Sequence, residues 1–101
     1  MKKILSVLFL LIFSTQVFAD SKMDLGLEVF NNKAQCGMCH TLKAVGSEGQ
    51  IGPNLDQIKP SMPQVVLAVT NGIGVMPAFD GMLSVEEIEA VAHFVSTSAG
   101  Q

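Results

Sequence analysis

The sequence predicts an all-α fold, and three observations support this prediction. Ser84 is followed three residues later by Glu87, which forms a capping box at the start of an apolar repeat. Residues 62–71 repeat apolar side chains at helical spacing between Ser61 and Gly72. A half-buried strand alternates apolar and polar residues, and the sequence contains no convincing run of that kind. We therefore expect helices joined by loops.

Residues 1–19 have the composition of a secretory signal peptide. Two lysines precede an apolar run, and Ala19 provides a small residue at the expected cleavage site. The apolar run is shorter than the ~20 residues of a membrane-spanning helix. We therefore expect cleavage before Asp20 rather than an uncleaved anchor. Cleavage leaves residues 20–101 as a single domain.

Charge and size restrict the function of that domain. Removing two N-terminal lysines changes the formal charge from −3 to −5, and the sequence contains no arginine. A basic nucleic-acid-binding surface is therefore missing, and an anionic membrane would repel the protein. A basic protein partner is compatible with this charge. A domain near ~70 to 80 residues seldom forms a sufficient core without a metal, a cofactor or another cross-link.

The first helix is expected from about Asp24 to Lys33. Gly26 and Phe30 are four residues apart and share one face. Since a glycine inside a helix costs about 1 kcal/mol relative to alanine, we interpret Gly26 as a place where another backbone packs closely. A tolerated glycine is the alternative. Residues 45–60 contain Gly and Pro, and we expect them to form mostly loop.

Two further helices are expected. The second begins after the N-cap Ser61, has Pro63 in its first turn and ends before Gly72, although its valine-rich run could also form a buried strand. The third follows Ser84 and ends near Ser98. The apolar positions are Met62, Val65, Val66 and Val69 in the second helix, and Ile88, Val91, Ala92 and Val95 in the third.

The most informative motif is Cys-Gly-Met-Cys-His at residues 36–40, which contains both cysteines of the chain. Two thiols at this spacing, followed by an imidazole, indicate covalent attachment of a c-type haem. Cys36 and Cys39 would each form a thioether with a haem vinyl group, and His40 would ligate the iron. The haem would supply the cross-link that so small a domain needs, and export to the periplasm fits this chemistry.

Other interpretations of the motif explain less. A structural zinc site needs about four nitrogen or sulfur ligands, and beyond the motif the chain offers only His93. A thioredoxin-like redox pair would follow a strand, whereas the residues before Cys36 predict a helix. Two buried structural cysteines would leave the spacing and the adjacent histidine unexplained.

A second axial ligand would suit an electron carrier, because six-coordinate iron leaves no position for oxygen or substrate. Met76 and Met62 both precede a proline, which favours extended geometry. Met76 lies in a glycine-bearing loop between two predicted helices, whereas Met62 begins a helix and can serve as core packing. We expect His93 to be a solvated surface residue that could pair with Glu89. The sequence favours Met76, with Met62, His93 or a vacant position as alternatives.

Together these residues resemble the class I c-type cytochromes, and the similarity covers nearly all of residues 20–101. The run Val-Met-Pro-Ala-Phe at residues 75–79 and the helix after it are similar to the C-terminal half of the c6-like (c553-type) group. The resemblance implies three to four helices around one covalently bound haem c. It also implies His40 and Met76 as the axial ligands of the iron.

The same resemblance implies roles for residues outside the motif. Gly26 and Phe30 would lie where the N- and C-terminal helices cross, with Phe94 as the aromatic partner on the second helix. The run Gly-Pro-Asn-Leu is similar to the loop of the family in which a proline carbonyl accepts a hydrogen bond from the ligating histidine. Pro53 would then support His40, fixing its ring and raising its basicity. A plain loop proline is the alternative.

The function that we expect is a soluble periplasmic electron carrier that docks transiently with a protein donor and a protein acceptor. The cofactor supplies the redox chemistry, and the interface should be weak, at or below ~1,200 Å². The alternative is a dedicated cytochrome subunit of a periplasmic oxidoreductase complex. A haem enzyme or gas sensor is disfavoured by Met76 and by the lack of a distal acid-base pair. We expect no small-molecule substrate, no nucleic acid and no membrane insertion after cleavage.

Overall fold

The computed structural model describes residues 20–101. Helix α1 spans residues 20–28 and continues directly into a π-helical turn at Val29–Lys33. The elements that follow are 3₁₀ turns at Cys36–Met38 and Lys43–Val45, strands β1 (Thr41–Leu42) and β2 (Ser47–Glu48), and helices α2 (Leu55–Ile58), α3 (Met62–Asn71) and α4 (Val85–Ser98). The expected signal peptide at residues 1–19 and its cleavage lie outside the described residues. No helix within residues 20–101 has the length and apolar content that crossing a membrane requires.

The crossing of α1 and α4 is part of the hydrophobic core. Gly26 is buried on α1, and the rings of Phe30 and Phe94 lie 6.0 Å apart with a 55° tilt, a favourable arrangement for aromatic pairs. At the edge of the crossing, Lys33 forms an ion pair with Glu87 in the first turn of α4. The expectation that Gly26 marks a close helix packing is confirmed.

Helices α3 and α4 agree with the sequence prediction. Ser61 and Ser84 both form complete capping boxes, and α3 ends at Gly72, whose φ is 72°. Val65 and Val69 are buried on one face of α3, which packs against α4. The interpretation of the valine-rich run as a buried strand is therefore wrong.

One expectation about an element boundary needs correction. The first helix is already helical at Asp20, four residues earlier than expected, and it ends in a π-helical turn. Residues 45–60 are mostly loop, as expected, although they also contain part of a hairpin and helix α2. The Asn54 side chain caps α2 by accepting hydrogen bonds from two backbone N–H groups at 2.9 and 3.3 Å. Elements this short show no periodicity, so only their capping residues mark them in the sequence.

The antiparallel hairpin of β1 and β2 places Leu42 opposite Ser47. Ser47 Oγ accepts a hydrogen bond from Leu42 N at 3.0 Å and donates to the His40 carbonyl at 3.0 Å. Leu42 is completely buried in the core. The hairpin therefore attaches the residues after the cysteine motif to the core and fixes the backbone of His40.

Candidate cofactor-binding site

The cysteine motif forms one compact turn. Gln35 adopts the left-handed conformation, with φ 51° and ψ 47°, and reverses the chain after the π-helical turn. The 3₁₀ turn follows, and the Cys36 carbonyl accepts hydrogen bonds from Cys39 N at 3.2 Å and His40 N at 3.0 Å. Both cysteines are free thiols and both are half-buried. The turn thus presents two unpaired thiols and the imidazole of His40 from five consecutive residues.

Burial changes the chemistry of the first thiol. Desolvation raises the pKa of Cys36 to about 11, and the neighbouring Cys39 adds to this increase. The thiol is therefore protonated at neutral pH.

The His40 ring is fixed by the loop that precedes α2. His40 Nδ1 lies 2.7 Å from the Pro53 carbonyl oxygen. A carbonyl can only accept a hydrogen bond, so Nδ1 carries the proton and donates it. In this tautomer Nε2 has a free lone pair and is the nitrogen available to a metal. A bond of this kind also increases the basicity of the imidazole.

Gly52 allows this close approach of the loop. A Cβ atom at position 52 would lie 2.6 Å from His40 Cε1 and 2.9 Å from its Nδ1. Gly52 N also donates to the Cys39 carbonyl at 2.7 Å. The loop is therefore attached to the cysteine motif on one side and to the imidazole on the other, and it has no room for a side chain at position 52.

The loop that carries Met76 is a second, separate unit. Met76 and Ile73 form an isolated bridge with backbone hydrogen bonds of 2.9 and 3.1 Å. Phe79 N donates to the Val69 carbonyl at 2.8 Å, which holds the loop against α3. Met76 is half-buried and packs against the core. Within residues 20–101, no backbone hydrogen bond joins Met76 to the cysteine motif.

The structure places the other candidate ligands as follows. Met62 begins α3 and is half-buried against the core, as its packing role requires. His93 is half-buried on α4, between the core residues Ala92 and Phe94 in the sequence. It forms no ion pair with Glu89 within the described part of the chain. His93 is therefore partly exposed to solvent, at the edge of the core.

Two positions that support the site were missed in the sequence. Ser47 fixes the His40 carbonyl, and Asp56 accepts hydrogen bonds from the backbone N–H groups of Lys43 and Gly100, both at 2.8 Å. The partners of Asp56 lie 13 and 44 residues away in the sequence. No local pattern indicates contacts of that range, so only the folded chain reveals them.

The donor set fits a haem better than a bare metal ion. The described residues contain no group of three or more His, Cys, Asp or Glu side chains that could hold a metal ion. A porphyrin supplies four nitrogen ligands, so the protein needs to add only one or two axial donors. His40 Nε2 and a methionine sulfur are donors of this kind, and the two free thiols can anchor the ring covalently.

Comparison with known proteins agrees with a haem cofactor. A family model described as cytochrome c oxidase, cbb3-type, subunit III, matches residues 21–95. The chain is 40% identical to cytochrome c6 of Microcystis aeruginosa over 78 residues. This alignment covers 73% of this chain and 94% of that protein. The chain belongs to the class I c-type cytochromes of the c6-like group. Cytochrome c6 of Porphyra purpurea is 36% identical over 108 residues, covering 94% of this cytochrome and 93% of that one.

A solved structure shows the same fold. The crystal structure of the c-type cytochrome SorU from Sinorhizobium meliloti matches this cytochrome with a TM-score of 0.77 and 50% sequence identity. The match covers 81% of this chain and 95% of that one. The prediction of helices around one haem c is therefore confirmed. The cytochrome carries a covalently bound haem c and is an electron carrier, not a catalytic enzyme.

Proposed function

We propose that this cytochrome is an exported periplasmic carrier that moves single electrons between a protein donor and a protein acceptor. In this proposal Cys36 and Cys39 hold the haem through thioethers, and His40 and Met76 ligate its iron. When bound, the haem supplies a one-electron ferric/ferrous couple. The chain supplies the ligands, burial and orientation.

The observation that carries the proposal is the hydrogen bond between His40 Nδ1 and the Pro53 carbonyl, at 2.7 Å. It selects the tautomer in which Nε2 is a metal donor, and it prevents rotation of the ring. Gly52 supports this role, since its lack of a side chain lets the loop contact the imidazole. Pro53 therefore acts through its backbone carbonyl rather than through its ring.

The choice of Met76 as the second ligand rests on how its loop is held. The bridge to Ile73 and the hydrogen bond from Phe79 to α3 fix the backbone on both sides of Met76. A thioether ligand gives a higher reduction potential than a second imidazole would. A filled sixth position also leaves no site for oxygen, which suits a carrier.

The ligand assignment is tested with Met76→Ala and the matched control Met62→Ala. We expect the methionine-to-iron charge-transfer band of the oxidised protein to disappear in Met76→Ala and to persist in Met62→Ala. Far-UV circular dichroism establishes that both variants retain their helices. Persistence of the band in Met76→Ala would show that another residue ligates the iron.

A second candidate function is a dedicated subunit of a periplasmic oxidoreductase complex. The observation that favours it is the description of the matching family model, which names an oxidase subunit. Purification of the holoprotein from its own periplasm distinguishes the two functions. A free carrier elutes alone at moderate ionic strength, because its docking is weak and partly electrostatic. A subunit co-elutes with its catalytic partner after a high-salt wash.

A further inference from the structure

Asp56 connects three segments of the chain near His40. Its Oδ2 accepts a hydrogen bond from Lys43 N, and its Oδ1 accepts one from Gly100 N, both at 2.8 Å. These N–H groups, with Gly100 contributing most, lower the pKa of Asp56 below its usual value. The carboxylate is therefore ionised at neutral pH, and each of its oxygens has a backbone partner.

The hydrogen bond to Lys43 reinforces the one that holds the His40 ring. His40 is joined to Pro53, and three residues later in each segment Lys43 is joined to Asp56. Together the two hydrogen bonds join the segment that follows the cysteine motif to the segment that leads into α2. The distance between the imidazole and the Pro53 carbonyl therefore depends on the Lys43–Asp56 bond as well as on its own atoms.

The hydrogen bond to Gly100 attaches the same unit to the end of α4. Gly100 has a φ of 78°, and a Cβ atom there would lie 2.5 Å from Lys59 Cε. Lys59 is the C-cap of α2 and has a φ of 45°. The chain after α4 thus rests directly on α2, and α4 itself is anchored in the core through Phe94. Because Asp56 follows the Pro53 loop in α2, its hydrogen bond with Gly100 connects that loop to the anchored end of α4.

We propose that Asp56 is a positioning residue for His40, holding the Pro53 carbonyl against His40 Nδ1 and so lowering the reduction potential of the haem. This inference rests on the proposed function, in which His40 ligates the iron. The hydrogen bond makes the imidazole a stronger donor, which favours the ferric state. Weakening the support from Asp56 therefore raises the potential.

The test removes one N–H group and compares two variants of equal charge. Lys43→Pro and Lys43→Gln both lose one positive charge. Only Lys43→Pro also loses the backbone N–H group that donates a hydrogen bond to Asp56. Lys43 opens a 3₁₀ turn, and the preceding Leu42 is extended, with φ −147° and ψ 108°. Proline is tolerated at such a position, so we expect the fold to be retained. Any difference between these variants reports the hydrogen bond and not the charge.

We expect Lys43→Pro to have a more positive potential than Lys43→Gln. In NMR spectra of the reduced holoprotein, its His40 Nδ1 proton should exchange with solvent about tenfold faster, as expected for loss of one charge-assisted hydrogen bond. Asp56→Asn should accelerate the same exchange, because its amide nitrogen cannot accept. Equal potentials and equal exchange rates in the two Lys43 variants would overturn the proposal, as would unchanged exchange in Asp56→Asn.

The ferric protein separates failure of this inference from failure of the ligand assignment. If His40 ligates the iron, its ring protons are strongly shifted by the unpaired electron in the wild-type protein. Absence of that shift would overturn the proposed function and the inference with it. A shift that is present in wild type, together with identical His40 behaviour in both Lys43 variants, would overturn the inference alone.

Discussion

Gly26 and Phe94 lie so close together that no side chain fits between their helices. A Cβ atom on Gly26 would lie 2.5 Å from Phe94 Cβ and would also overlap the Ala90 carbonyl oxygen. Real Cβ atoms essentially never approach so closely, so α1 would have to move away from α4. The same crossing contains the contact of Phe94 with Phe30.

Gly26→Ala should therefore destabilise the protein, although alanine is the better helix former. Overpacking of a tight core contact typically costs about 1–3 kcal/mol, and each 1 kcal/mol lowers the Tm of a domain this small by about 4–8 °C. Thermal unfolding of the holoprotein measures the change. The control is Asp24→Ala on the exposed side of α1, which should stay within about 0.5 kcal/mol of wild type. Equal stability of Gly26→Ala and wild type would show that the helices can separate freely.

The Lys33–Glu87 ion pair should contribute to stability within a defined pH range. The hydrogen bond from Lys33 is the main cause that lowers the pKa of Glu87, and the same bond raises the pKa of Lys33. A lowered carboxylate pKa gives stability that is present above the pKa of the unfolded chain, about 4.3, and lost as the pH falls further. A raised lysine pKa gives stability that is lost above about 10.4.

Glu87→Gln tests this range, because glutamine keeps the capping box with Ser84 and removes only the charge. We expect a small loss of Tm between about pH 5 and 10, which shrinks at both extremes and in high salt. Glu86→Gln is the matched control, since Glu86 occupies the same helical turn without an ion pair among the described residues. A difference between wild type and Glu87→Gln that persists at pH 3 would contradict the ion-pair explanation.

Gly52→Ala should disturb the His40 ring more than the overall fold. The new Cβ would overlap the imidazole, so either the ring or the Pro53 carbonyl must move, which weakens the hydrogen bond between them. We expect a changed ferric spectrum and faster exchange of the His40 Nδ1 proton. Ile51→Ala, at an adjacent position that is 71% exposed, should change neither property. An unaltered His40 proton in Gly52→Ala would mean that the loop tolerates a side chain there.

The sequence predicts elements whose stabilising residues lie within a few positions of one another. Capping boxes at Ser61 and Ser84 and the apolar faces of α3 and α4 are local patterns, and the cysteine motif is complete within five residues. Helix α2 and the hairpin escape prediction because they are too short to show a period, and the contacts of their side chains lie outside any repeating local pattern. Ser47 and Asp56 are the clearest cases.

The residues of the candidate site also differ in how they can be predicted from the sequence. Cys36, Cys39 and His40 are recognised from spacing alone, whereas Pro53 is recognised only by resemblance to a family. Asp56 is recognised only in the folded chain, because one of its partners is 44 residues away. Local chemistry therefore predicts the cofactor, whereas the long-range contacts of Asp56 become visible only in the folded chain.

The π-helical turn at Val29–Lys33 separates two parts of the chain that cannot move, the packed helix around Gly26 and the cysteine motif. Its defining bond runs from Ala34 N to the Val29 carbonyl at 2.8 Å, one residue longer than an α-helical bond. The turn therefore accommodates one additional residue without lengthening the helix. Deleting one residue here would convert the turn to α geometry. The segment thus joins the packed helix to the cysteine motif with one residue more than a continuous α-helix would hold.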